Sequence, residues 1–320
     1  MNSPQSGIDM RDAFFDELYA LAKNDPDVVL LSADMGAYSI TQFKKDLPKQ
    51  YINVGIAEQN MVSIAAGLAL TGKKVFIYTI IPFVTMRCFE QIKVDLCCMN
   101  LPVTIVGVGP GLTYGSDGPT HHATQDIALM RTLPEITILN PSDPASTKEF
   151  CRQAYRSAGP VYVRIDKGVL PSIHSHTEDF TQGISELARG TDITIITTGI
   201  MAHAAIAIAE ELKKNSINAG VADLYRIKPL NVKKLLEIAA VSKRIVTLEE
   251  NTLVGAMGSA VCETLADNGR QTPVKRIGLP DDHCFECGTR ETLHSFYYID
   301  AGGIKNTILQ WIRGNHGSGN

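Results

Sequence analysis

The sequence predicts an α/β protein of two consecutive domains, each a mainly parallel sheet flanked by helices. Three observations carry this prediction. Strand-like and helix-like segments alternate along most of the 320 residues. The strand segments are unbroken Val/Ile/Leu runs, as in sheets covered on both faces, not the half-polar alternation of a one-sided sheet. The rhythm lapses once, over residues 170–190, a polar stretch with His174, Ser175, His176 and Thr177 in a row. We read residues 1–175 as the first domain, 176–190 as a linker, 191–314 as the second domain and 315–320 as a Gly/Ser/Asn-rich tail that frays.

In chain order, Met10 to Lys23 reads as an amphipathic helix with Phe14, Phe15, Leu18 and Leu21 on one side, stopped by Asn24-Asp25-Pro26. Val28–Ser32 is a buried strand, and Tyr51–Val54 a short one leading into a helix at Glu58. There Met61, Ile64, Ala65 and Leu68 form one apolar stripe, and Thr71-Gly72 supplies the stop. The strand Val75–Thr79, a helix from about Thr85 to Met99 and the strand Val103–Val108 follow, then a glycine-rich loop from Gly109 to Gly118. A helix, the strand Ile136–Leu139, another helix and Val161–Arg164 close this half. The second alternation runs through Ile193–Gly199, a helix near Ala202–Lys214, Gly220–Leu224, Ile245–Glu250, a Gly255–Ala266 helix, Val274–Gly278 and two terminal helices.

A hydrophobic fraction of 44%, a charged fraction of 20% and a formal net charge of −4 describe an ordinary globular protein. No basic run points to nucleic acid, no apolar run reaches membrane-spanning length, and the polar start Met1–Asp12 does not read as a signal peptide. Seven cysteines, an odd number, fit free thiols in a reducing compartment, so the expectation is a cytoplasmic protein. The Cys284-Phe285-Glu286-Cys287 spacing has no second pair to complete a zinc site and reads as two loop thiols.

In parallel α/β sheets ligands bind beyond the carboxyl ends of the strands. Four features fall there: Glu58 in a helix first turn, the Ile80–Phe83 segment, the loop Gly115–His122 and Arg164. Each also has a plain structural reading: a helix-end carboxylate, a core ring, turn chemistry at Asp117-Gly118-Pro119 and an edge-strand salt bridge.

Together, Gly55-Ile56-Ala57-Glu58-Gln59-Asn60, the Phe83–Phe89 segment and Asp117-Gly118-Pro119-Thr120-His121 resemble the pyrimidine-binding domain of transketolase. Leu248-Glu249-Glu250-Asn251 with Gly255 is most similar to the C-terminal domain of 1-deoxyxylulose-5-phosphate synthase. The resemblance covers nearly the whole chain and is to the C-terminal half of a split transketolase. It implies thiamine diphosphate as cofactor and transfer of a two-carbon ketol unit from a ketose to an aldehyde. By that resemblance Glu58 is the acid/base partner of the pyrimidine N1′, and Phe83 stacks on the ring with Phe89 nearby. Met86 stands where the family carries another aromatic. Asp117 and His121 read sugar hydroxyls, His121 as a catalytic residue, and Arg164 and Arg11 grip a substrate phosphate.

There are departures. The family's phosphate histidine falls near Gly109, and Tyr38 stands where its phosphate serine aligns, with Ser39 adjacent. No diphosphate-binding Gly-Asp-Gly with a downstream Asn is present; Ser116-Asp117-Gly118 with Asn140 is a superficial mimic. A partner N-terminal subunit is therefore implied, carrying the diphosphate site with its Mg2+ or Ca2+. The small residues Ala65-Ala66-Gly67-Leu68-Ala69 fit close approach of a second copy, so the expectation is a self-dimer through the first domain within a heterotetramer. The alternatives are the β-subunit of another thiamine enzyme, such as a 2-oxo acid dehydrogenase, and a non-catalytic regulatory subunit.

Overall fold

The computed structural model describes residues 8–175 and 177–314. Residues 1–7, His176 of the expected linker and the tail 315–320 lie outside them. The first half runs α1 (Met10–Ala22), β1 (Val28–Ser32), α2 (Tyr38–Asp46), β2 (Tyr51–Asn53), α3 (Glu58–Leu70), β3 (Lys74–Ile80), α4 (Ile81–Thr85), α5 (Phe89–Gln91), a wide π-helical turn at Ile92–Cys97, β4 (Val103–Val108), α6 (Asp126–Arg131), β5 (Thr137–Leu139), α7 (Pro144–Arg156) and β6 (Val161–Ile165). The second half runs β7 (Ser185–Ala188), β8 (Ile193–Thr197), α8 (Met201–Lys213), β9 (Ala219–Asp223), β10 (Arg226–Lys228), α9 (Val232–Val241), β11 (Ile245–Thr252), α10 (Met257–Asp267), β12 (Val274–Leu279), α11 (Arg290–Phe296) and α12 (Ala301–Gly314).

The strands form two sheets, ordered β10-β5-β6-β4-β3-β1-β2 and β12-β11-β8-β9-β7. All pairings are parallel except β10 with β5 and β7 with β9, both at sheet edges. Local chemistry starts the helices. Asp9 caps α1 by accepting from the N–H groups of Arg11 and Asp12, and Asp143 caps α7 in a reciprocal pair with Ser146, with Pro144 in the first turn. The central strands are apolar on both faces because both are covered. Val29, Leu31, Val75 and Ile77 face α3, while Val28, Leu30, Phe76 and Tyr78 face α1. Each fully buried Leu or Ile contributes about 1.5–3 kcal/mol. The α3-side core continues into the second half through Ala222, Leu224, Ile227 and Met257.

Four sequence expectations are corrected. The linker 176–190 contains an edge strand, since β7 lies antiparallel to β9. The second half also returns to the first sheet: β10 pairs with β5, and Lys228 Nζ donates to the carbonyl of Arg131 at 2.9 Å. The single helix expected from Thr85 to Met99 breaks at Met86–Cys88. It resumes through the π-helical turn, which rephases Ile92, Leu96 and Cys97 onto the α3-side core. The small-residue stripe of α3 faces inward: Ala65, Ala66 and Ala69 are buried against their own sheet, so those alanines are not an outer contact surface.

The junction between the halves carries a buried ionic clasp. His174 lies between Asp143 at 3.2 Å and Asp223 at 3.4 Å, all three almost fully buried. Burial works against the imidazolium, but the Asp143 carboxylate that faces its Nδ1 and the charge of Asp223 raise His174 above its usual value. Burial pushes Asp223 up to about 7. Both shifts are upward, so their stabilising contribution is complete at lower pH and is lost as pH rises through the folded values. Wild-type protein is therefore expected to lose about 2–4 °C in thermal midpoint between pH 6 and pH 8.5. A His174→Gln/Asp223→Asn double variant, which removes both groups, should flatten that slope, as scanning calorimetry across pH will show.

Candidate active site

The loops at the carboxyl ends of β2, β3, β4 and β6 carry the candidate residues, along one edge of the first sheet. Gly55, at φ 72°, turns the chain after β2 so that Glu58 opens α3. The Glu58 side chain is only 3% exposed, and its Oε2 accepts from the Arg87 guanidinium at 2.6 Å. That guanidinium also lies over the Phe83 ring, 4.5 Å from its centroid. Phe83 meets the His121 ring edge-to-face at 5.1 Å, and His121 is tilted against Tyr114 at 6.0 Å. Lys167 Nζ lies over the other end of this wall, 3.9 Å from the Tyr114 centroid. One run of contacts thus leads from a buried carboxylate, through three rings, to a lysine.

Arg11 stands beside that end. Its Nε is buried with no hydrogen-bond partner among the described residues, as are the hydroxyls of Tyr78 and Tyr114. Burial raises both phenols, Tyr114 to about 12, so both are protonated donors. Burial and then the charge of Arg11 lower Lys167. Arg11, Lys167 and the Tyr78 and Tyr114 hydroxyls lie together, with the Asp9 carboxylate 4.0 Å from Arg11 Nε, and these donors suit an oxyanion. Gly109, at φ 83°, lies directly against the Tyr114 ring, which leaves no room for a Cβ. The Tyr114 ring therefore fills the space beside Gly109, near which the family's phosphate histidine was expected to fall. Ser39 is likewise committed: its N–H and hydroxyl both donate to Asp12, at 3.3 and 3.4 Å.

The other expected residues divide. Asp117 is exposed on the loop beside His121, with its N–H held by the Tyr114 carbonyl. Met86 is 39% exposed and lines a small cavity with Pro119, His122 and Cys284. Phe89 packs into the α3-side core and Phe83 against the α1-side core, so the two rings do not form one stacking platform. Arg164 is withdrawn from the site. Its Nε donates to Asp126 at 2.8 Å and its Nη2 to the Ala123 carbonyl at 3.1 Å, in a fully buried network. Asp126 also accepts from Tyr162 at 2.7 Å and Asn251 at 2.9 Å, so Arg164 joins the two halves and has no face for a ligand. Asn140 is buried too, donating to Thr198 at 3.0 Å. The sequence reading missed Arg87, Lys167, Tyr78 and Tyr114. Arg87 alone left a trace there, as the one charge within the apolar run Ile80–Phe89.

Residues 6–172 match the transketolase pyrimidine binding domain, and residues 184–304 the transketolase C-terminal domain. The chain belongs to the transketolase family. It is 37% identical over 309 residues to one of the subunits of the apulose-4-phosphate transketolase of Phocaeicola vulgatus, covering 96% of this chain and 98% of that one. It is 35% identical to a 6-deoxy-6-sulfo-D-fructose transketolase subunit of a Clostridium species, covering 92% of each. A solved split-gene transketolase, described as an inactive β4 tetramer, superposes with a TM-score of 0.87 at 34% identity, covering 95% of this chain and 98% of that one. A 1-deoxy-D-xylulose-5-phosphate synthase from Crocosphaera subtropica is 36% identical, but the match spans only 43% of that enzyme. Within the transketolase family this chain is therefore similar along its whole length to separate subunits, and to part of the longer enzymes. Among the described residues no helix is long and apolar enough to cross a membrane.

Proposed function

We propose that this chain is the C-terminal subunit of a two-component, thiamine diphosphate-dependent transketolase that moves a two-carbon ketol unit from a ketose to an aldehyde. The observation that carries the reading is the run Glu58–Arg87–Phe83–His121–Tyr114–Lys167 along the carboxyl edge of the first sheet. The pyrimidine fits the first part of that run, because a planar cation already meets Glu58 through a nitrogen and lies over the Phe83 ring. Glu58 and Phe83, with the exposed Met86, would hold that ring. A bound thiamine diphosphate supplies a nucleophilic carbon and an electron sink.

Glu58 gives and takes the proton at N1′. His121 and Asp117 orient sugar hydroxyls, and His121, lodged between two rings, has a fixed plane from which to donate. Arg11 and Lys167 hold an anionic substrate terminus, a phosphate or a sulfonate. The names of the two split relatives, one acting on a sugar phosphate and one on a sulfosugar, support that class. The diphosphate and its Mg2+ or Ca2+ belong to an N-terminal partner subunit, and the assembly is a heterotetramer built on a self-dimer, in the cytoplasm.

The test is reconstitution. The chain alone is expected to bind thiamine diphosphate weakly or not at all in calorimetry with magnesium. The mixture with its N-terminal partner is expected to bind it and to transfer a ketol unit. Tight one-to-one binding by the isolated chain would overturn the split-site reading. Within the active complex, Lys167→Met is expected to raise KM for an anionic acceptor about tenfold or more while leaving cofactor affinity unchanged, as expected for one charge-assisted contact. Steady-state kinetics with charged and uncharged acceptors of the same chain length will check this.

A further inference from the structure

We infer that Arg87 is a gate on the pyrimidine subsite, a side chain that stands in for the cofactor ring until the ring displaces it. The inference rests on the reading of Glu58 and Phe83 given above. The guanidinium occupies both surfaces of that subsite at once, with one nitrogen 2.6 Å from Glu58 Oε2 and its central carbon over the Phe83 ring, 4.5 Å from the centroid. A protonatable aminopyrimidine makes the same two demands, a ring-edge nitrogen on the carboxylate and a face on the aromatic ring. One planar group can meet them at a time.

The surroundings suit a moving side chain and a fixed backbone. Arg87 is 42% exposed in its side chain, so it has solvent to swing into. Among the described residues Glu58 is its only side-chain hydrogen-bond acceptor. Its backbone is pinned to α3, since Gln59 Nε2 donates to the Arg87 carbonyl at 3.1 Å. The next residue is held as well, with the Cys88 thiol against the Phe83 carbonyl at 3.2 Å. Only the side chain is free to leave.

The gate answers a difficulty specific to a half-site. Glu58 is almost wholly buried, and a buried carboxylate without a partner is strongly destabilising. A subunit that folds before it meets cofactor or partner needs a resident cation there. Arg87 supplies it from an exposed, reversible position. The consequence is a binding penalty, because the cofactor binds only the fraction of molecules in which the guanidinium has swung away.

The experiment uses the reconstituted complex with Mg2+, titrated with thiamine diphosphate by calorimetry and by stopped-flow binding. Arg87→Met, which keeps the stem and removes the charged plane, is expected to bind the cofactor about tenfold more tightly and faster, the gain that follows when a competing side chain leaves about a tenth of the molecules competent. Arg87→Lys, which keeps a charge but no plane, is expected to give a smaller gain and controls for any folding defect of the methionine variant. Unchanged or weaker binding by Arg87→Met would overturn the gate and make Arg87 a residue that stays on Glu58 in the loaded enzyme. Failure of the wild-type complex itself to bind thiamine diphosphate would instead overturn the functional reading on which the gate rests.

Discussion

In the assembled enzyme, Glu58→Gln is expected to leave subunit assembly intact and to slow both ketol transfer and C2–H exchange of bound thiamine diphosphate by about a hundredfold or more, the scale of a lost acid/base group. Glutamine matches the size of glutamate and still offers hydrogen bonds to a ring nitrogen. It cannot accept and return a proton at that nitrogen. The substitution also removes the charge that holds Arg87 over Phe83. Exchange measured by proton NMR in deuterated buffer separates this effect from substrate binding. If exchange in the variant runs at the wild-type rate, Glu58 reverts to a carboxylate that complements the N-terminus of α3.

Much of the fold was legible because its signals are local. Runs such as Val28–Ser32, Val103–Val108 and Ile193–Thr197 are buried on both faces, and sequence shows that directly. What stayed hidden was set by distant partners. The three residues of β10 are too few to show a period, and they form a strand only because β5 offers an open edge. The helix expected from Thr85 to Met99 has a fair apolar pattern, yet the pattern does not show the break at Met86–Cys88 or the wide turn that carries Ile92 and Leu96 into the core.

The site shows the same division. Glu58, Phe83 and His121 came from motifs at the ends of strands, and the fold brings them together. Lys167 was not singled out in the sequence, although it stands three residues after Arg164. Both follow the apolar Val161–Val163 run, and their directions depend on strand alternation. Arg164 and Asp166 turn toward the second half, to Asp126 and Arg290. Lys167, one residue out of phase, turns to Tyr114. Sequence shows two cations in that segment, and only the position of α6 and α11 decides which is spent on structure.

Removing Arg290 is expected to cause the largest loss of stability in the chain. Arg290 Nη1 donates to Asp166 at 2.8 Å and its Nε to Glu250 at 2.8 Å, and all three side chains are largely buried. Burial alone would raise the Glu250 carboxyl, but the Arg290 charge, with hydrogen bonds from Arg290 and His294, outweighs it and holds the group at about 2. Arg290→Met leaves two buried carboxylates without their cation, which costs about 3–5 kcal/mol. Urea titration at pH 7.5 will measure that loss. A folded value depressed below the unfolded one contributes stability above the unfolded value, and that contribution is lost as pH falls through the folded one. The gap between wild type and Arg290→Met is therefore expected to be full at neutral pH and to begin closing only below about pH 4.5, the ordinary range for a glutamate. The effect should also reach the active site. Glu250 Oε1 accepts from the Leu112 N–H at 3.1 Å, and Arg290 Nη2 donates to the Pro110 carbonyl at 3.4 Å. The second half thus holds down the root of the loop that carries Tyr114, Asp117 and His121. Arg290→Met protein that remains folded should therefore also show a raised KM, through a loosened loop, with cofactor affinity unchanged. A destabilised variant whose KM equals the wild-type value would confine this network to stability alone.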